Sequence, residues 1–336
     1  MSSIKEKAAA FLYRSRWGEK LLMTANIWVK DWHLASPGIA GFLPRNDALA
    51  DEYSNRAETL FKDLDELSRK TVKNYFWRET MLPKDLESAY FYMYNFSRVL
   101  SREEREKDIR ARKLLWKLRK RFSLLDNEVG PESIVYHHGL SAMPEKVLDY
   151  IKGKDFVDAG ACFGDSALVF TNYAPRKIYA FEPSPENGKI FRRTMDKNHI
   201  PENIYELVPA GLASQKGEIC FSDSGSSANS LYEKGETKAE LVTLDEFVRE
   251  RKANIGVIKA DLEGMGLDML KGAKETLVKC RPVLSLSIYH NEEELFGTYP
   301  LLKEWLPDYH FYIRSLSLPS LMGEVSLLGY PKDLQK

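Results

Sequence analysis

The sequence predicts an α/β fold in which a Rossmann-like, mostly parallel sheet of seven strands follows an all-helical N-terminal domain. Apolar residues in positions 1–130 recur at helical spacing and carry almost no strand signal. After Pro131, short apolar runs alternate with helical segments, a pattern typical of a parallel sheet with helices on both faces. A turn containing Gly160 and Gly164 follows the first apolar run and opens a helix.

The N-terminal domain is expected to consist of helices over residues 1–130. Helical periodicity marks residues 4–32, a long polar helix from Asp51 to Leu67, a helix that starts near Pro83 and includes the aromatic run 89–96, and a helix from Ser101 to about Arg121. The last helix is acidic early and basic late, an order that complements the helix dipole. We therefore interpret its basic residues as a solvated face rather than a nucleic-acid site.

The second domain is expected to span residues 131–336. We predict core strands near residues 155–158, 178–182, 204–209, 255–260 and 283–289, and helices near 165–172, 185–198, 244–252 and 266–280. An inserted strand pair is expected near residues 216–223 and 239–243, and a closing antiparallel hairpin near 309–314 and 324–330.

The turn after the first strand has the chemistry of a nucleotide cradle. Gly160 and Gly164 permit a sharp turn, and Asp165 and Ser166 open a helix whose free amides face that turn. Glu182 ends the second strand 18 residues beyond Gly164, close to the roughly 20 residues at which an acid reaches a ribose hydroxyl in dinucleotide-binding folds. A carboxylate there suits two ribose hydroxyls and repels a 2′-phosphate.

Two cofactors use this geometry, and the turn favours one of them. A dinucleotide fold needs a middle glycine so that the pyrophosphate can approach the backbone, but Cys162 stands at that place. Asp158 adds negative charge just before the turn, which opposes a pyrophosphate and attracts the cationic amino group and sulfonium of S-adenosylmethionine. The sequence therefore favours S-adenosylmethionine over NAD.

Bulk composition excludes several classes of partner. Lysine and arginine balance aspartate and glutamate at 49 each, so the whole molecule offers no attraction to nucleic acid or to an anionic membrane. Three cysteines without metal-ligand spacing indicate a reducing compartment. No apolar stretch is long enough for a signal peptide or a membrane span, so a cytoplasmic location is expected.

Several ordered blocks resemble the FkbM-type S-adenosylmethionine-dependent methyltransferases. The blocks are Val157-Asp-Ala-Gly-Ala-Cys-Phe-Gly-Asp-Ser, Tyr179-Ala-Phe-Glu-Pro-Ser-Pro-Glu, Val242-Thr-Leu-Asp-Glu-Phe, Ile258-Lys-Ala-Asp-Leu-Glu-Gly, Met269-Leu-Lys-Gly-Ala and Arg281-Pro with Tyr289-His290. The resemblance covers about 150 residues and stops at the helical third of the chain. It implies a class I methyltransferase fold, S-adenosylmethionine as methyl donor and S-adenosylhomocysteine as product.

Two departures from the family pattern stand inside these blocks. The first loop of the family often has asparagine where Cys162 stands, and the block after Lys259 commonly reads Glu-Gly-x-Glu, whereas Gly266 replaces the last acid here. The loss of that acid puts in doubt whatever role the acid has in other family members. It also leaves open the alternative that the chain is a noncatalytic binding module, in which the helical domain would dock a partner. Lys259, Asp261 and Glu263 are retained, and Lys259 is expected to form a salt bridge at a strand end.

The candidate catalytic residues follow two neighbouring core strands. Asp261 and Glu263 follow the fourth strand and His290 follows the fifth, so the carboxyl edge of a parallel sheet can bring them together. We expect His290 to be the general base for a hydroxyl proton, because neutral imidazole suits proton abstraction near pH 7. Asp261 could orient that imidazole or hold the amino group of the cofactor. The same three residues could instead bind a divalent cation, although a metal is not favoured.

The expected cofactor ligands come from the two turns and from the segment after the third strand. They are Asp158, Gly160, Ala161, Gly164, Asp165, Ser166, Glu182, Pro183, Gly211, Leu212 and Asp261. The segment Tyr136 to Gly139 could fold over the cofactor.

The predicted function is O-methylation of a hydroxyl on a sugar, a glycan precursor or a secondary metabolite, and the helical domain could cover this acceptor. An NAD-linked oxidoreductase is the alternative enzyme. The oligomeric state is open.

Overall fold

The computed structural model describes residues 47–79, 102–123, 129–221, 223, 235–316 and 325–335. The predicted helix at residues 4–32, the helix start near Pro83 and the aromatic run 89–96 lie outside the described residues. The α-helices are α1 (Asp47–Leu60), α2 (Glu66–Glu79), α3 (Arg102–Arg121), α4 (Pro131–Ile134), α5 (Glu145–Ile151), α6 (Asp165–Phe170), α7 (Pro185–Lys197), α8 (Leu244–Arg251), α9 (Gly266–Lys271), α10 (Lys274–Cys280) and α11 (Glu292–Trp305). The strands are β1 (Asp155–Ala159), β2 (Lys177–Phe181), β3 (Tyr205–Val208), β4 (Ala210–Leu212), β5 (Gly217–Phe221), β6 (Thr237–Val242), β7 (Ile255–Ala260), β8 (Val283–Ser287), β9 (Tyr309–Ser315) and β10 (Val325–Pro331).

The main sheet has the predicted seven strands. Their order is β3-β2-β1-β7-β8-β10-β9, and β10 runs antiparallel to both of its neighbours while the other pairs are parallel. The chain leaves β1 toward β2 on one side and returns to β7 on the other. The carboxyl ends of β1 and β7 therefore border the crevice at which open α/β sheets bind their ligands.

Two apolar layers cover the faces of the sheet. Along β1, Phe156 packs with α5 and α6 on one face, and Val157 packs on the other face in the layer that contains residues of α8 to α11. All five residues of β1 are buried. This continuous burial is typical of a parallel strand with helices on both sides.

Helices α1 and α2 share the second of these apolar layers and cover one edge of the sheet. Phe61 and Val72 are fully buried in it. Ser68 Oγ accepts a hydrogen bond from Ile313 N of the edge strand β9 at 2.8 Å, and Arg314 pairs with Asp65 at 3.2 Å. The helices thus satisfy and shield a strand edge that would otherwise be open to pairing.

Two predicted helices are each divided in the structure. The expected helix from Asp51 to Leu67 is wrong as one element, because Asp65 Oδ1 accepts the Ser68 amide at 2.8 Å and starts α2 anew. The expected helix 266–280 breaks between α9 and α10 at Gly272. A Cβ atom at Gly272 would lie 2.1 Å from Ala213 O, so the loop before β5 occupies the space beside the break.

The inserted strand pair is confirmed and gains a third strand. β5 pairs antiparallel with β6, and the unpredicted short strand β4 pairs parallel with β6. β4 contains Gly211 and Leu212, which places these two predicted cofactor ligands on a second small sheet beside the crevice. Among the described residues, no helix is long and apolar enough to cross a membrane.

Candidate functional site

The glycine turn after β1 brings two distant segments into backbone contact. Gly160 has φ 75°, and a Cβ atom there would lie 1.9 Å from the carbonyl oxygen of Asp261. Gly160 N and Ala161 N both donate to Phe181 O, at 3.1 and 3.0 Å. The turn is therefore locked against the ends of β2 and β7, and only glycine permits this approach.

Gly164 and Cys162 complete the turn. Both have positive φ, 84° and 45°, and a side chain at Gly164 would meet Phe191 at 2.9 Å. The sequence predicts a lowered pKa for Cys162 beside a helix start, but burial raises it. The thiol therefore stays protonated, as a structural residue of the loop would.

Glu182 lies directly after β2 and lines the crevice. Its two carboxylate oxygens accept hydrogen bonds from the amides of Cys162 and Ser184, each at 2.8 Å. Burial raises the pKa of Glu182 to about 7, against the lowering effect of these amides. The side chain of Asn187 gives the carboxylate a third hydrogen bond. Since a carboxylate offers about four acceptor sites, roughly one remains for a hydroxyl donor in the crevice.

The crevice has an apolar half, called here the adenosine cleft. Its lining consists of Gly160, Cys162, Phe181, Glu182, Pro183, Asn187, Ala210, Gly211, Leu212, Phe221, Asp261, Leu262, Glu263 and Met265. Five predicted cofactor ligands besides Asp261 therefore meet here: Gly160, Glu182, Pro183, Gly211 and Leu212.

The other half of the crevice, called here the acidic chamber, carries four carboxylates. Glu132, Asp165, Asp261 and Glu263 line it together with Ser166, and it shares Asp261 and Glu263 with the adenosine cleft. Burial, then the charges of Asp165 and Asp261, raise the pKa of Glu132 to about 7. Four carboxylates against the ammonium group of Lys259, which also lines the chamber, favour a cationic ligand.

Sequence reasoning missed Glu132. Pro131 and an acid in the next position are a helix-start signal, and α4 does begin there. Nothing in that local pattern indicates that the acid faces a chamber, because the chamber wall opposite it comes from Asp165 and Asp261.

A backbone segment in a rarely populated conformation holds His138 in the chamber wall. His137, His138 and Gly139 have successive φ values of 47°, 52° and 89°, an arrangement that costs energy and recurs at functional sites. The Nε2 atom of His138 lies 2.8 Å from Ser166 Oγ. Burial, with the charge of Lys259, lowers the pKa of His138 to about 3, so this imidazole is neutral. His137 instead contacts Tyr173 OH at 2.7 Å.

Asp158 lies beneath the turn rather than in its wall. It is fully buried and pairs with Lys259 Nζ at 3.2 Å, and Lys259 also donates to Gly160 O at 2.8 Å. The predicted salt bridge of Lys259 is thus present. Neither Asp158 nor Ala161 lines the two halves of the crevice. Their direct contact with a cofactor stays a prediction, and the structure gives both residues a supporting position.

The predicted catalytic residues meet at the rim where β7 and β8 end. His290 Nε2 lies 3.0 Å from Asp261 Oδ1 and 3.9 Å from Glu263 Oε2. On its other side, His290 Nδ1 lies 3.0 Å from Glu294 Oε2. Glu294 was not identified from the sequence, because it appeared as one of three acids in the first turn of α11.

The charges in this cluster are strongly coupled. Burial would lower the pKa of His290, but the carboxylates of Asp261 and Glu294 raise it to about 10. Burial would raise the pKa of Asp261, yet His290 holds it below its usual value. Burial raises the pKa of Glu263 to about 7. At neutral pH, His290 is therefore an imidazolium, not the neutral base that its residue type predicts, and Glu263 is the group poised to exchange a proton.

Asp261, Glu263 and His290 could also hold a cation. Each offers one ligand atom, and these atoms lie within 4.8 Å of one another. Two carboxylates and an imidazole are suitable ligands for several divalent metals.

Comparisons with known proteins give a matching family model and similar folds. Residues 158–316 match the family model described as "Methyltransferase FkbM domain". No curated protein matches the sequence of the chain. The fold is similar to the crystal structure of methyltransferase FkbM from Methylobacillus flagellatus KT, with 16% identity and a TM-score of 0.55. That similarity covers 84% of this chain and 61% of the other, so the chain spans less than two thirds of that protein.

Two further solved structures match smaller parts of the fold. An rRNA methylase from Streptococcus thermophilus has 13% identity and a TM-score of 0.37, over 56% of this chain and 92% of its own. The Streptococcus mutans protein SMU.1697c, in complex with SAH, has 10% identity and a TM-score of 0.35, over 55% of this chain and 94% of its own. Both TM-scores are below 0.5, so the fold is compared with the Methylobacillus structure and with neither of these two.

Proposed function

We propose that this chain, a member of the FkbM family of S-adenosylmethionine-dependent methyltransferases through residues 158–316, methylates a hydroxyl group. The acceptor class is a sugar, a glycan precursor or a hydroxylated secondary metabolite. The observation that carries this proposal is the position of Glu263, which lines both the adenosine cleft and the acidic chamber. The boundary between the two halves is called here the seam. Methylation of a hydroxyl group requires a residue that takes the hydroxyl proton, and Glu263 at the seam can do so.

The two halves of the crevice fit the two ends of the cofactor. Glu182 would accept a hydrogen bond from the ribose, and the apolar walls of the adenosine cleft would cover the base. Glu132 and Asp165 would face the ammonium group of the methionine end, a role that the sequence assigned to the charge of Asp158. The sulfonium would then lie at the seam beside Glu263 and Asp261.

S-adenosylmethionine, when bound, supplies a methyl group on a positively charged sulfur. Glu263 would take the hydroxyl proton as the oxygen–carbon bond forms and the sulfur–carbon bond breaks. The imidazolium of His290, between Asp261 and Glu294, would hold the Asp261 carboxylate at the seam.

We further propose that the helical N-terminal domain expected over residues 1–130 shapes the acceptor side. Support comes from α2, where Tyr75 OH donates to Tyr289 O at 2.6 Å. Tyr289 lines the acidic chamber and precedes His290. Helix α2 thus stabilises the loop that carries the catalytic cluster.

Calorimetry with S-adenosylhomocysteine, and with NADH in parallel, tests the cofactor. We expect S-adenosylhomocysteine to bind and NADH not to bind. Glu182→Gln should weaken the binding of S-adenosylhomocysteine by about 10-fold or more, because the neutral amide cannot accept from both backbone amides and a ribose hydroxyl. Glu186→Gln is the matched control, since Glu186 is an exposed acid in the same segment. Binding of NADH instead would overturn the assignment.

Radiolabelled S-adenosylmethionine with a panel of glycosides and hydroxylated metabolites tests the reaction. We expect Glu263→Gln to lower kcat by about 10²–10⁴-fold, the usual range for loss of a general base. Its affinity for S-adenosylhomocysteine should stay within about threefold of wild type, about 0.7 kcal/mol. Methylation of amines only, or full activity of Glu263→Gln, would reject the proposal.

A further inference from the structure

The space beside Gly266 is occupied by a carboxylate from another helix. Gly266 N donates to Glu294 Oε1 at 2.6 Å, and a Cβ atom at position 266 would lie 2.7 Å from the same oxygen. A side chain at position 266 and the present position of Glu294 therefore exclude each other.

Glu294 is held in this position from several sides. It is 1% exposed, and its own amide donates to Asn291 Oδ1 at 2.8 Å as part of the cap of α11. Asn291 Nδ2 donates in turn to Gly264 O at 3.3 Å, which ties the start of α11 to the loop after β7. The second carboxylate oxygen, Oε2, contacts His290 Nδ1 at 3.0 Å. A buried carboxylate with these partners is oriented, not merely enclosed.

We infer that Glu294 is the positioning residue for His290, and that Gly266 is the opening that admits its carboxylate. This inference rests on the proposed function, since positioning matters only if Asp261, Glu263 and His290 act on an acceptor.

The geometry explains what this acid does. With Nδ1 held by Glu294, the ring of His290 is fixed so that Nε2 faces Asp261 at 3.0 Å and Glu263 at 3.9 Å. Ring partners of this kind set the orientation of a functional imidazole. Without Glu294, the ring could rotate, and both carboxylates at the seam would lose a neighbour in a fixed position.

A double-mutant cycle on Gly266 and Glu294 tests the contact itself. We expect Gly266→Ala to lower the melting temperature of the full chain by several degrees, because its methyl group displaces the Glu294 carboxylate. In the Glu294→Ala background, the same substitution should have little further effect, because the obstructing oxygen is gone. An equal effect of Gly266→Ala in both backgrounds would overturn the inference.

Nuclear magnetic resonance of the protein with ¹⁵N-labelled histidine tests the positioning role. We expect a hydrogen-bonded Nδ1 proton of His290 in wild type and its loss or displacement in Glu294→Gln, which keeps the size of the side chain. Glu293→Gln is the matched control, because Glu293 is exposed in the same helical turn. A His290 signal in Glu294→Gln that is identical to that of wild type would reject the role.

Turnover and binding separate this inference from the proposed function. We expect Glu294→Gln to lower kcat about 10–100-fold, with KM for S-adenosylmethionine and affinity for S-adenosylhomocysteine within about threefold of wild type. Failure of wild type to bind S-adenosylhomocysteine would end the proposed function, whereas the melting cycle and the His290 signal would still decide the contact between Glu294 and His290. Unchanged kcat in Glu294→Gln would overturn the positioning role alone.

Discussion

The adenosine cleft and the cluster around His290 are built by different means. In the cleft, backbone atoms set the geometry: Gly160 lies against a carbonyl, and the amides of Cys162 and Ser184 orient Glu182. In the cluster, side-chain charges set it, with His290 among carboxylates from separate elements. The difference indicates that the first region is sensitive to shape and the second to protonation. The two regions meet where Gly160 touches Asp261.

The largest effect is expected where a side chain is forced into the shape-dependent region. Gly160→Ala places a methyl group 1.9 Å from Asp261 O at a φ of 75°, so we expect a loss of about 4 kcal/mol or more in the free energy of unfolding. Binding of S-adenosylhomocysteine should be lost as well. Urea denaturation and calorimetry measure both.

Gly217→Ala is the control for this substitution, because nothing lies within 4 Å of a Cβ atom there. We expect its free energy of unfolding to stay within about 0.5 kcal/mol of wild type. An equally small change in the unfolding free energy of Gly160→Ala would show that the turn tolerates a side chain at position 160.

The next effect concerns the ion pair beneath the turn. Lys259→Met leaves the buried Asp158 without its cation, and we expect a loss of about 3 kcal/mol in the free energy of unfolding. Lys279→Met is the matched control, since Lys279 pairs with Glu275 in an exposed (i, i+4) salt bridge, and exposed pairs contribute little to stability. Equal losses of unfolding free energy in the two variants would mean that burial does not increase the contribution of the Asp158–Lys259 pair to stability.

A pH dependence of stability should come from the charge-dependent region. The pKa of His290 is raised to about 10 in the folded chain, against about 6.5 when unfolded. Its stabilising contribution is therefore complete below pH 6.5 and is lost as pH rises through 10. We expect wild type to lose more of its free energy of unfolding than His290→Gln between these limits.

Urea denaturation at intervals from pH 6 to pH 10 measures that difference. His199→Gln, at an exposed histidine, should follow wild type across the range. If His290→Gln also follows wild type, the imidazolium is not the source of the pH dependence.

The smallest effect is on turnover. Burial raises the pKa of Glu263 to about 7, and a base must be ionised to accept a proton. We therefore expect kcat to rise about 10-fold, about 1.4 kcal/mol, between pH 6 and pH 8. A pH–rate profile with the acceptor found by the panel measures it, and Glu263→Gln should show no such rise. A profile that falls over this range would assign the base to another group.

Local patterns were enough for the turn and for the strands that flank it. Gly160, Gly164 and Glu182 lie within one βαβ unit, so their spacing along the chain determines their spacing in space. The same holds for the alternation that predicted the sheet. The sequence predicted a salt bridge for Lys259 but not that its partner is Asp158. This pairing depends on the register of β1 against β7, which sets the two residues opposite each other.

The sequence by itself determined the class of fold, the position of the cofactor turn and the residues that end the core strands, because these follow from periodicity and short spacing. Only the tertiary structure decided the protonation and support of the site. The high pKa of His290 requires carboxylates that arrive from β7 and α11, and the role of Glu294 requires the space left by Gly266. The charge and burial around a group depend on all of its neighbours in space, and the order of residues along the chain does not specify those neighbours.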